Sequence, residues 1–254
     1  MDDVSPTNNN GTYFNAPTAG IAGGIGNDPN TAVSFDGVDD YATAARQIDA
    51  NFSIEFWVKT TQNFSGDPFG LPACSQWWMG AGLVDADLAG GAQDFGVSMC
   101  SGKIIAGVGI PEVSLVSSGT YNDNLWHHVV FTRTQASGAL VLYVDGAQVA
   151  TGTGNTGLLN SQATLNFGRM AFGANYFAGT LDEVAVYTSV LGHAVGESGW
   201  LADWSQILAY FDTLDAASPR VTVDSIGATS LGRTMVLAVI TSEANQARLE
   251  EIRA

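Results

Sequence analysis

Positive charge is scarce in this chain. Only 9 of its 254 residues are Lys or Arg, whereas 25 are Asp or Glu, which gives a formal net charge of −16 at pH 7. A surface of this sign repels phosphate groups and anionic lipid headgroups, so we expect no nucleic-acid partner. We expect most of the acidic side chains to be solvated, although some are suitable oxygen ligands for Ca²⁺.

Long apolar runs are also missing. No run approaches the roughly 20 residues that a membrane span requires, so we expect no membrane span and a soluble protein. The first residues, MDDVSPTNNN, lack the basic start and apolar stretch of a signal peptide. We therefore expect either that an export signal was removed or that the chain is an internal fragment.

Histidine is rare, and two of the three histidines are adjacent: His127 and His128, with His193 elsewhere. Neighbouring side chains of a strand point to opposite faces, so this pair does not ligate one metal ion without a bulge. We interpret the pair as architectural, with one histidine in the core and satisfied by a hydrogen bond. The sequence also has no G-x-S-x-G elbow, H-E-x-x-H helix or phosphate loop, and we expect no enzymatic activity.

Most of the chain consists of short alternating segments separated by turn residues. In FSIEFWVKTT, for example, Phe52, Ile54, Phe56 and Val58 share one face, which we expect to face the core. Asp145-Gly146 predicts a hairpin, because both residues tolerate positive φ. Strands are predicted at 32–37, 40–45, 52–61, 76–84, 94–99, 103–109, 125–134, 140–146, 147–152, 164–170 and 179–188, which suits two packed antiparallel sheets.

The periodicity changes near residue 200. WLADWSQILAYFDTLDAAS, residues 200–218, repeats its apolar positions at helical intervals and ends before Pro219. Two strands at 220–227 and 234–241 follow, and 242–254 favours a helix. We therefore predict an all-β sandwich with a short α+β appendage: a domain at 1–191, a linker at 192–202 and a segment at 203–254.

Four blocks in order carry a family resemblance: FDGVDDY, FSIEFWVKT, NDNLWHHVVFTRT with LVLYVDG, and FAGTLDEVAVYTSVL. Over roughly residues 8–191 they resemble the laminin-G-like, concanavalin A-like jelly-roll domains of bacterial extracellular proteins. The resemblance implies a two-sheet antiparallel jelly roll that acts as a non-catalytic extracellular or cell-surface binding module, directed at carbohydrate or protein, in a secreted multidomain protein. Glucanases on this fold carry an E-x-D-x-x-E strand, and TLDEVAV has no such alternation.

The resemblance also implies one structural Ca²⁺, with Asp182 of LDEV as a candidate ligand. Asp36 of FDG, and Asp2 and Asp3, are weaker candidates, whereas we expect Asp39 and Asp40 to be solvated. The alternative for Asp182 is a turn-capping role.

Two cysteines, Cys74 and Cys100, bracket a predicted hairpin through VDADLAGG, residues 84–91. A hairpin centred near Asp87 sets them opposite each other, and a disulfide fits an exported protein. Two free, partly buried thiols are the alternative.

Several side chains are candidates for ligand binding. Trp77 and Trp78 lie on a predicted strand and point to opposite faces, so at least one belongs to the core and the other is available to stack on a sugar or peptide. Asn122, Asp123, Asn175 and Tyr176 are polar loop candidates.

The segment from about Asp203 onward resembles the beginning of zinc carboxypeptidases, in WSQILAYFDTLDAASPRV and VDSIGATSLGRTMVLAVIT. This likeness implies a fragment of a secreted zinc metallocarboxypeptidase. The zinc ligands of that family come from a later H-x-x-E motif and a distal histidine, and none of those positions exists here. We therefore expect no zinc in this chain, and Arg233 is interpreted as a turn residue.

Overall fold

The structure, a computed structural model, describes residues 9–26, 30–65, 72–90, 92–172, 175–188 and 204–246, together with 248, 249 and 251. The chain forms two compact units, the first spanning Asn10–Ala194 and the second including Val195–Ala254. The predicted linker at 192–202 lies outside the described residues, so the proposed domain boundaries stay a prediction.

The first unit is a β sandwich, which confirms the predicted fold class. Its strands are β1 (Thr12–Phe14), β2 (Thr18–Ala22), β3 (Thr31–Asp36), β4 (Tyr41–Ala45), β5 (Phe52–Lys59), β6 (Ala81–Asp85), β7 (Phe95–Cys100), β8 (Lys103–Val108), β9 (Val113–Val116), β10 (His127–Thr134), β11 (Ala139–Val144), β12 (Ala147–Thr153), β13 (Thr164–Phe167) and β14 (Ala178–Thr188). Sheet A has the order β1-β4-β13-β6-β7-β8-β9, and sheet B has the order β12-β11-β10-β5-β14-β3-β2. Neighbouring strands are antiparallel.

The core lies between the two sheets and follows the alternation of the strands. In β5 the residues Phe52, Ile54, Phe56 and Val58 are buried, and the residues between them are half-buried, as predicted. The ring of Phe52 lies 4.8 Å from that of Phe95 in sheet A, which joins the two sheets. Burying one such ring contributes about 1.5–3 kcal/mol to the free energy of unfolding.

One predicted strand, 76–84, was wrong at its beginning. Trp77–Met79 is a 3₁₀ helix, and the strand starts only at Ala81. The indole of Trp77 lies against Gly96 and Gly107 on sheet A, where an added Cβ would come within 2.6 Å and 2.3 Å of it. The chain therefore turns here in order to place the indole on the sheet, and β6 begins afterwards.

Three short strands were not predicted: β1, β2 and β9. Each has three to five residues and lies at the edge of a sheet, where few side chains are buried. The hairpin at Asp145-Gly146 is confirmed. Its residues have φ values of 52° and 77°, and they join β11 to β12 with Val144 opposite Ala147.

The second unit contains α1 (Trp204–Ala217), β15 (Val221–Ala228), β16 (Thr234–Ile240) and α2 (Glu243–Gln246), in the predicted order of helix, hairpin and helix. The Trp204 indole Nε1 donates to the carbonyl oxygen of Thr234 at 2.8 Å, which ties α1 to the hairpin. Within the described ranges, neither helix has the length and apolar character needed to cross a bilayer.

Candidate functional site

The outer face of sheet A, which points away from the core, carries a stack of three side chains. Register places Phe14 of β1 opposite Tyr41 of β4, and their rings stack with centroids 4.5 Å apart and planes 5° apart. The guanidinium carbon of Arg169, just after β13, lies 3.4 Å from the Tyr41 ring centroid. We call Phe14, Tyr41 and Arg169 the Arg169 stack.

A hydrogen bond and a row of polar side chains complete this part of the face. Arg169 Nε donates to Asn166 Oδ1 at 3.0 Å. Asn166 is opposite Thr43, which is opposite Thr12, so the three share the outer face. The terminal amino groups of Arg169 have no hydrogen-bond partner and no ion pair among the residues that the structure describes. The guanidinium is therefore oriented by its neighbours while its terminal N–H groups remain available.

Beside this stack lies a group of carboxyls that we call the acidic cluster: Asp85, Asp87, Asp94 and Glu112. Asp85 ends β6 opposite Gly96 and Asn166, on the same outer face. Its Oδ2 accepts hydrogen bonds from Ala171 N at 2.7 Å and Asp87 N at 3.1 Å, whereas its buried Oδ1 has no partner.

The carboxyls of the cluster hold protons more tightly than usual. Desolvation raises the pKa of Asp85 well above its usual range, and the neighbouring Asp87 and Asp94 add to this. Desolvation and Asp94 raise the pKa of Asp87 to about 7, and desolvation raises the pKa of Asp94 to about 6. Although Glu112 is exposed as a residue, desolvation of its carboxyl raises its pKa to about 7. At neutral pH the cluster therefore carries less negative charge than its four carboxyls suggest.

Trp77 is packed against this cluster and is only 1% exposed. Its burial corrects its assignment as a ligand-binding residue, because no ring face is left for a ligand. The indoles of Trp77 and Trp78 lower the pKa of Glu112, although Nε1 of Trp77 lies outside hydrogen-bonding geometry with any described acceptor. Trp78 is half-buried and stays a candidate ligand-binding residue.

The polar loop candidates have structural partners. Gln62 connects two of them, since its backbone oxygen accepts from Asn122 Nδ2 at 3.3 Å and its Nε2 donates to the Tyr176 carbonyl oxygen at 3.0 Å. Asn175 Nδ2 donates to the Met79 carbonyl oxygen at 3.2 Å. Asp123 contacts His127, as described next. The ligand-binding role of these residues stays a prediction.

His127 lies between two carboxylates. Its Nδ1 is 2.8 Å from Asp145 Oδ2, and its Nε2 is 3.1 Å from Asp123 Oδ1. Desolvation lowers the pKa of His127, but Asp145 and Asp123 together outweigh it and raise the pKa above 6.5. His128 points to the other face, where its Nε2 is 3.2 Å from Glu55 Oε1. Both histidines are hydrogen-bonded, which agrees with an architectural role. Both are half-buried, so the expectation that one of them lies in the core was wrong.

The two calcium candidates are far apart. Asp36 is opposite Ala178 on β14, and Asp182 lies four residues further, about 13 Å at the usual strand rise. Asp182 is buried, and its Oδ2 accepts a hydrogen bond from Gly24 N at 2.8 Å. One ion does not contact both carboxylates. Asp2 and Asp3 lie outside the described residues.

Asp36 belongs instead to a turn with Asp39 and Asp40, whose carboxylate oxygens lie within 4.8 Å of one another. Asp36 Oδ1 accepts hydrogen bonds from Val38 N at 2.8 Å and Asp39 N at 3.2 Å, and the first of these contributes most to lowering the pKa of Asp36. The expectation that Asp40 is solvated was wrong. It is 6% exposed, and its Oδ2 accepts a hydrogen bond from the backbone N–H of Asp36.

The Cys74–Cys100 disulfide is confirmed, with a Cα–Cα distance of 5.5 Å. The predicted hairpin exists, but it does not set the cysteines opposite each other. Ala81 is paired with Met99, and Cys74 lies in the turn before the 3₁₀ helix. The bond therefore fastens the segment that carries Trp77 and Trp78 to the end of β7.

A sequence comparison decides the family. The sequence model of a laminin-G family, described as the concanavalin A-like lectin/glucanases superfamily, matches residues 35–194. The chain belongs to this superfamily. The match covers β4–β14 in full and ends before the second unit, for which the carboxypeptidase likeness stays a prediction. Among curated proteins, none matches the chain.

Solved structures share the fold of this superfamily member. Domain 4 of an extracellular GH43 arabinanase from Geobacillus stearothermophilus, in complex with arabinotriose, is 14% identical, with a TM-score of 0.52 over 70% of this chain and 81% of that one. The binding domain of botulinum neurotoxin DC, in complex with SialylT, is 13% identical, with a TM-score of 0.52 over 91% of this chain and 50% of that one. At these identities the likeness shows the fold alone.

Sequence reasoning missed both the Arg169 stack and the acidic cluster. The acidic residues had a visible signal, the D-x-D at 85–87 followed by Asp94 and Glu112. Arg169 had only its rarity, as one of 9 basic residues. Its contact with Tyr41 depends on the pairing of β13 with β4, which is non-local.

Proposed function

We propose that the first unit is a non-catalytic binding module directed at carbohydrate, in the extracellular space or at a cell surface. The observation that carries the proposal is the superfamily match over residues 35–194, on a two-sheet sandwich. Two proteins of the same fold were solved with arabinotriose and with SialylT. The Cys74–Cys100 disulfide supports an oxidising compartment.

A printed array of neutral and acidic oligosaccharides, probed with the full chain, tests this function. We expect binding to at least one glycan class, reproduced by calorimetry in solution. A chain that binds none of the glycans but binds an extracellular matrix protein would instead favour a protein ligand, the other class that we expected from the sequence.

We also propose that Ca²⁺ binds near Asp182. The buried carboxylate is an oxygen ligand of the kind that Ca²⁺ prefers, and the backbone of the Gly23–Gly24 loop lies directly against it. Carbonyl oxygens of that loop are suitable further ligands. The ion would have a structural role, joining this loop to β14.

For the second unit we propose the alternative function, that the chain is part of a secreted zinc metallocarboxypeptidase. The order of α1, β15, β16 and α2 supports it, since it matches the predicted opening of that domain. All three histidines of the sequence precede residue 203, so we propose no peptidase activity for this chain itself. A zinc-dependent release of C-terminal residues from a peptide, sensitive to chelators, would contradict this.

A further inference from the structure

We propose that the Arg169 stack is a subsite for a carboxylate-bearing sugar, in which the terminal N–H groups of Arg169 donate to the sugar carboxylate. This inference rests on the carbohydrate-binding function proposed above and adds to it a location and a ligand class. No part of it depends on the calcium site near Asp182.

The Arg169 guanidinium is held in place by its protein neighbours. Its plane is fixed by the Tyr41 ring at 3.4 Å and by the hydrogen bond from Nε to Asn166. An arginine held in this way loses little conformational entropy when it binds, and its planar fork matches a carboxylate in two parallel hydrogen bonds. Lysine at this position would lack that match.

Among the residues that the structure describes, no protein carboxylate competes for Arg169. No ion pair joins Arg169 to a described acidic residue, in a chain with 25 acidic and 9 basic residues. Asp85 lies opposite Asn166 on the same outer face. The Oδ2 atom of Asp85 accepts hydrogen bonds from Ala171 N and Asp87 N, and no ion pair joins Asp85 to Arg169.

The surface around Arg169 suits the rest of a sugar ring. Phe14 is 37% exposed and offers apolar surface to the C–H groups of a sugar. Thr12 and Thr43 share the face and offer hydroxyls for hydrogen bonding, with Thr12 exposed and Thr43 half-buried. Charged, apolar and hydroxyl groups are thus next to each other on one accessible face.

The net charge of −16 opposes an anionic ligand at long range. Salt screens charges separated by more than about 8 Å at physiological ionic strength, whereas the contact with Arg169 is direct. We therefore expect the bound state to persist at physiological salt, with a slower association than a positively charged protein would show.

Two carboxylated sugars are sources of this chemistry, uronate and sialate, and the test separates them. The full chain is titrated by calorimetry with a galacturonate trimer and with 3′-sialyllactose, each beside its methyl ester, which removes the negative charge and adds one methyl group per carboxylate. We expect binding of at least one acid and a loss of about tenfold or more in affinity for its ester.

Single substitutions test whether the carboxylated sugar binds at the Arg169 stack. Arg169→Gln is expected to weaken binding of the acid about tenfold or more, and Arg169→Lys, which keeps the charge without the fork, by severalfold. Phe14→Ala should weaken binding of the acid and the ester alike. Arg220→Gln, which removes one positive charge from the second unit, is the matched control and should bind as the unchanged chain does. Melting curves establish that each variant is folded, and Phe14→Ala tests the site if Arg169→Gln does not fold.

Each result has one meaning. Equal affinity for acid and ester, or an Arg169→Gln variant that binds the acid normally, overturns this subsite and leaves the carbohydrate-binding function standing. Failure of the unchanged chain to bind either acid, together with binding of a neutral glycan on the array, also overturns the subsite alone. Failure to bind any glycan overturns both.

Discussion

His127 shows how single residues of the first unit respond to pH. Its imidazolium is held by Asp145 and Asp123, on the β11–β12 turn and the loop before β10. Because its pKa in the folded state lies above the unfolded value of 6.5, the stability that it contributes is complete below pH 6.5. That stability is lost as the pH rises through the folded-state pKa.

We therefore predict that Asp145→Asn lowers the pKa of His127, since an amide does not attract the imidazolium. NMR titration of the His127 ring measures the pKa directly. Asp212→Asn, at an exposed position in the second unit, is the control and should leave the titration unchanged. A His127 pKa that stays above 6.5 in Asp145→Asn would mean that Asp123 alone holds the ring.

Asp87 has the opposite chemistry, a carboxyl whose pKa is raised, to about 7, chiefly by desolvation. A carboxyl whose pKa is higher in the folded state stabilises that state when it is protonated. Its ionisation therefore lowers the free energy of unfolding as the pH rises from about 4 through about 7. We predict that Asp87→Asn, of nearly the same shape, raises the melting temperature at pH 8 and leaves it almost unchanged near pH 4.

Thermal melts of both forms across this pH range test the expectation. Asp39→Asn is the control, because Asp39 is exposed and lies outside the acidic cluster. A variant that is less stable than the unchanged chain at pH 8 would show that the Asp87 carboxylate has a stabilising partner, such as a bound cation.

At the scale of elements, the disulfide fixes the segment 72–80, in which only Trp77–Met79 is helical and no residue is in a strand. It joins the turn at Cys74 to the end of β7 across a sequence separation of 26 residues. The 3₁₀ helix between them presses Trp77 onto Gly96 and Gly107. The disulfide therefore helps to hold the Trp77 indole against sheet A and to fix the position of Trp78.

We predict that Cys74→Ala/Cys100→Ala lowers the free energy of unfolding by about 3–4 kcal/mol, because a closed loop of this length restricts the unfolded chain. Denaturant unfolding of the two forms measures the difference. Intact mass after alkylation under denaturing conditions gives the control. The unchanged chain should gain no label without reductant and two labels with it, and labelling without reductant would show free thiols.

At the scale of the whole molecule, metal binding is expected to appear as stability of the first unit. A cation bound only by the folded state stabilises it by about 2.7 kcal/mol at 100 times its dissociation constant. We predict that chelation lowers the melting temperature by about 5–10 °C in that case. Asp182→Ala should abolish this response, whereas Asp36→Asn, at the separate turn, should retain it.

Calorimetric melts with calcium and with chelator decide the matter. Identical curves would remove Ca²⁺ from the account of this protein. A response that Asp36→Asn abolishes, and Asp182→Ala does not, would move the ion to the turn of Asp36, Asp39 and Asp40.

The sequence by itself determined the sandwich. Period-two alternation places Phe52, Ile54, Phe56 and Val58 on one face, because side chains of a strand alternate whatever the strand pairs with. The turn at Asp145-Gly146 and the helix at Trp204–Ala217 are equally local, since they follow from backbone preferences and from spacing along the chain.

Only the tertiary structure decided which residues meet on the outer face of sheet A. Phe14, Tyr41 and Arg169 come from three strand regions that are far apart in sequence, and they meet because β1 pairs with β4 and β4 with β13. The burial of Trp77 and the raised pKa values of the acidic cluster likewise depend on loops that fold over the sheet. Alternation reports which face a side chain takes, but the partner on that face is set by strand order and register, which are non-local.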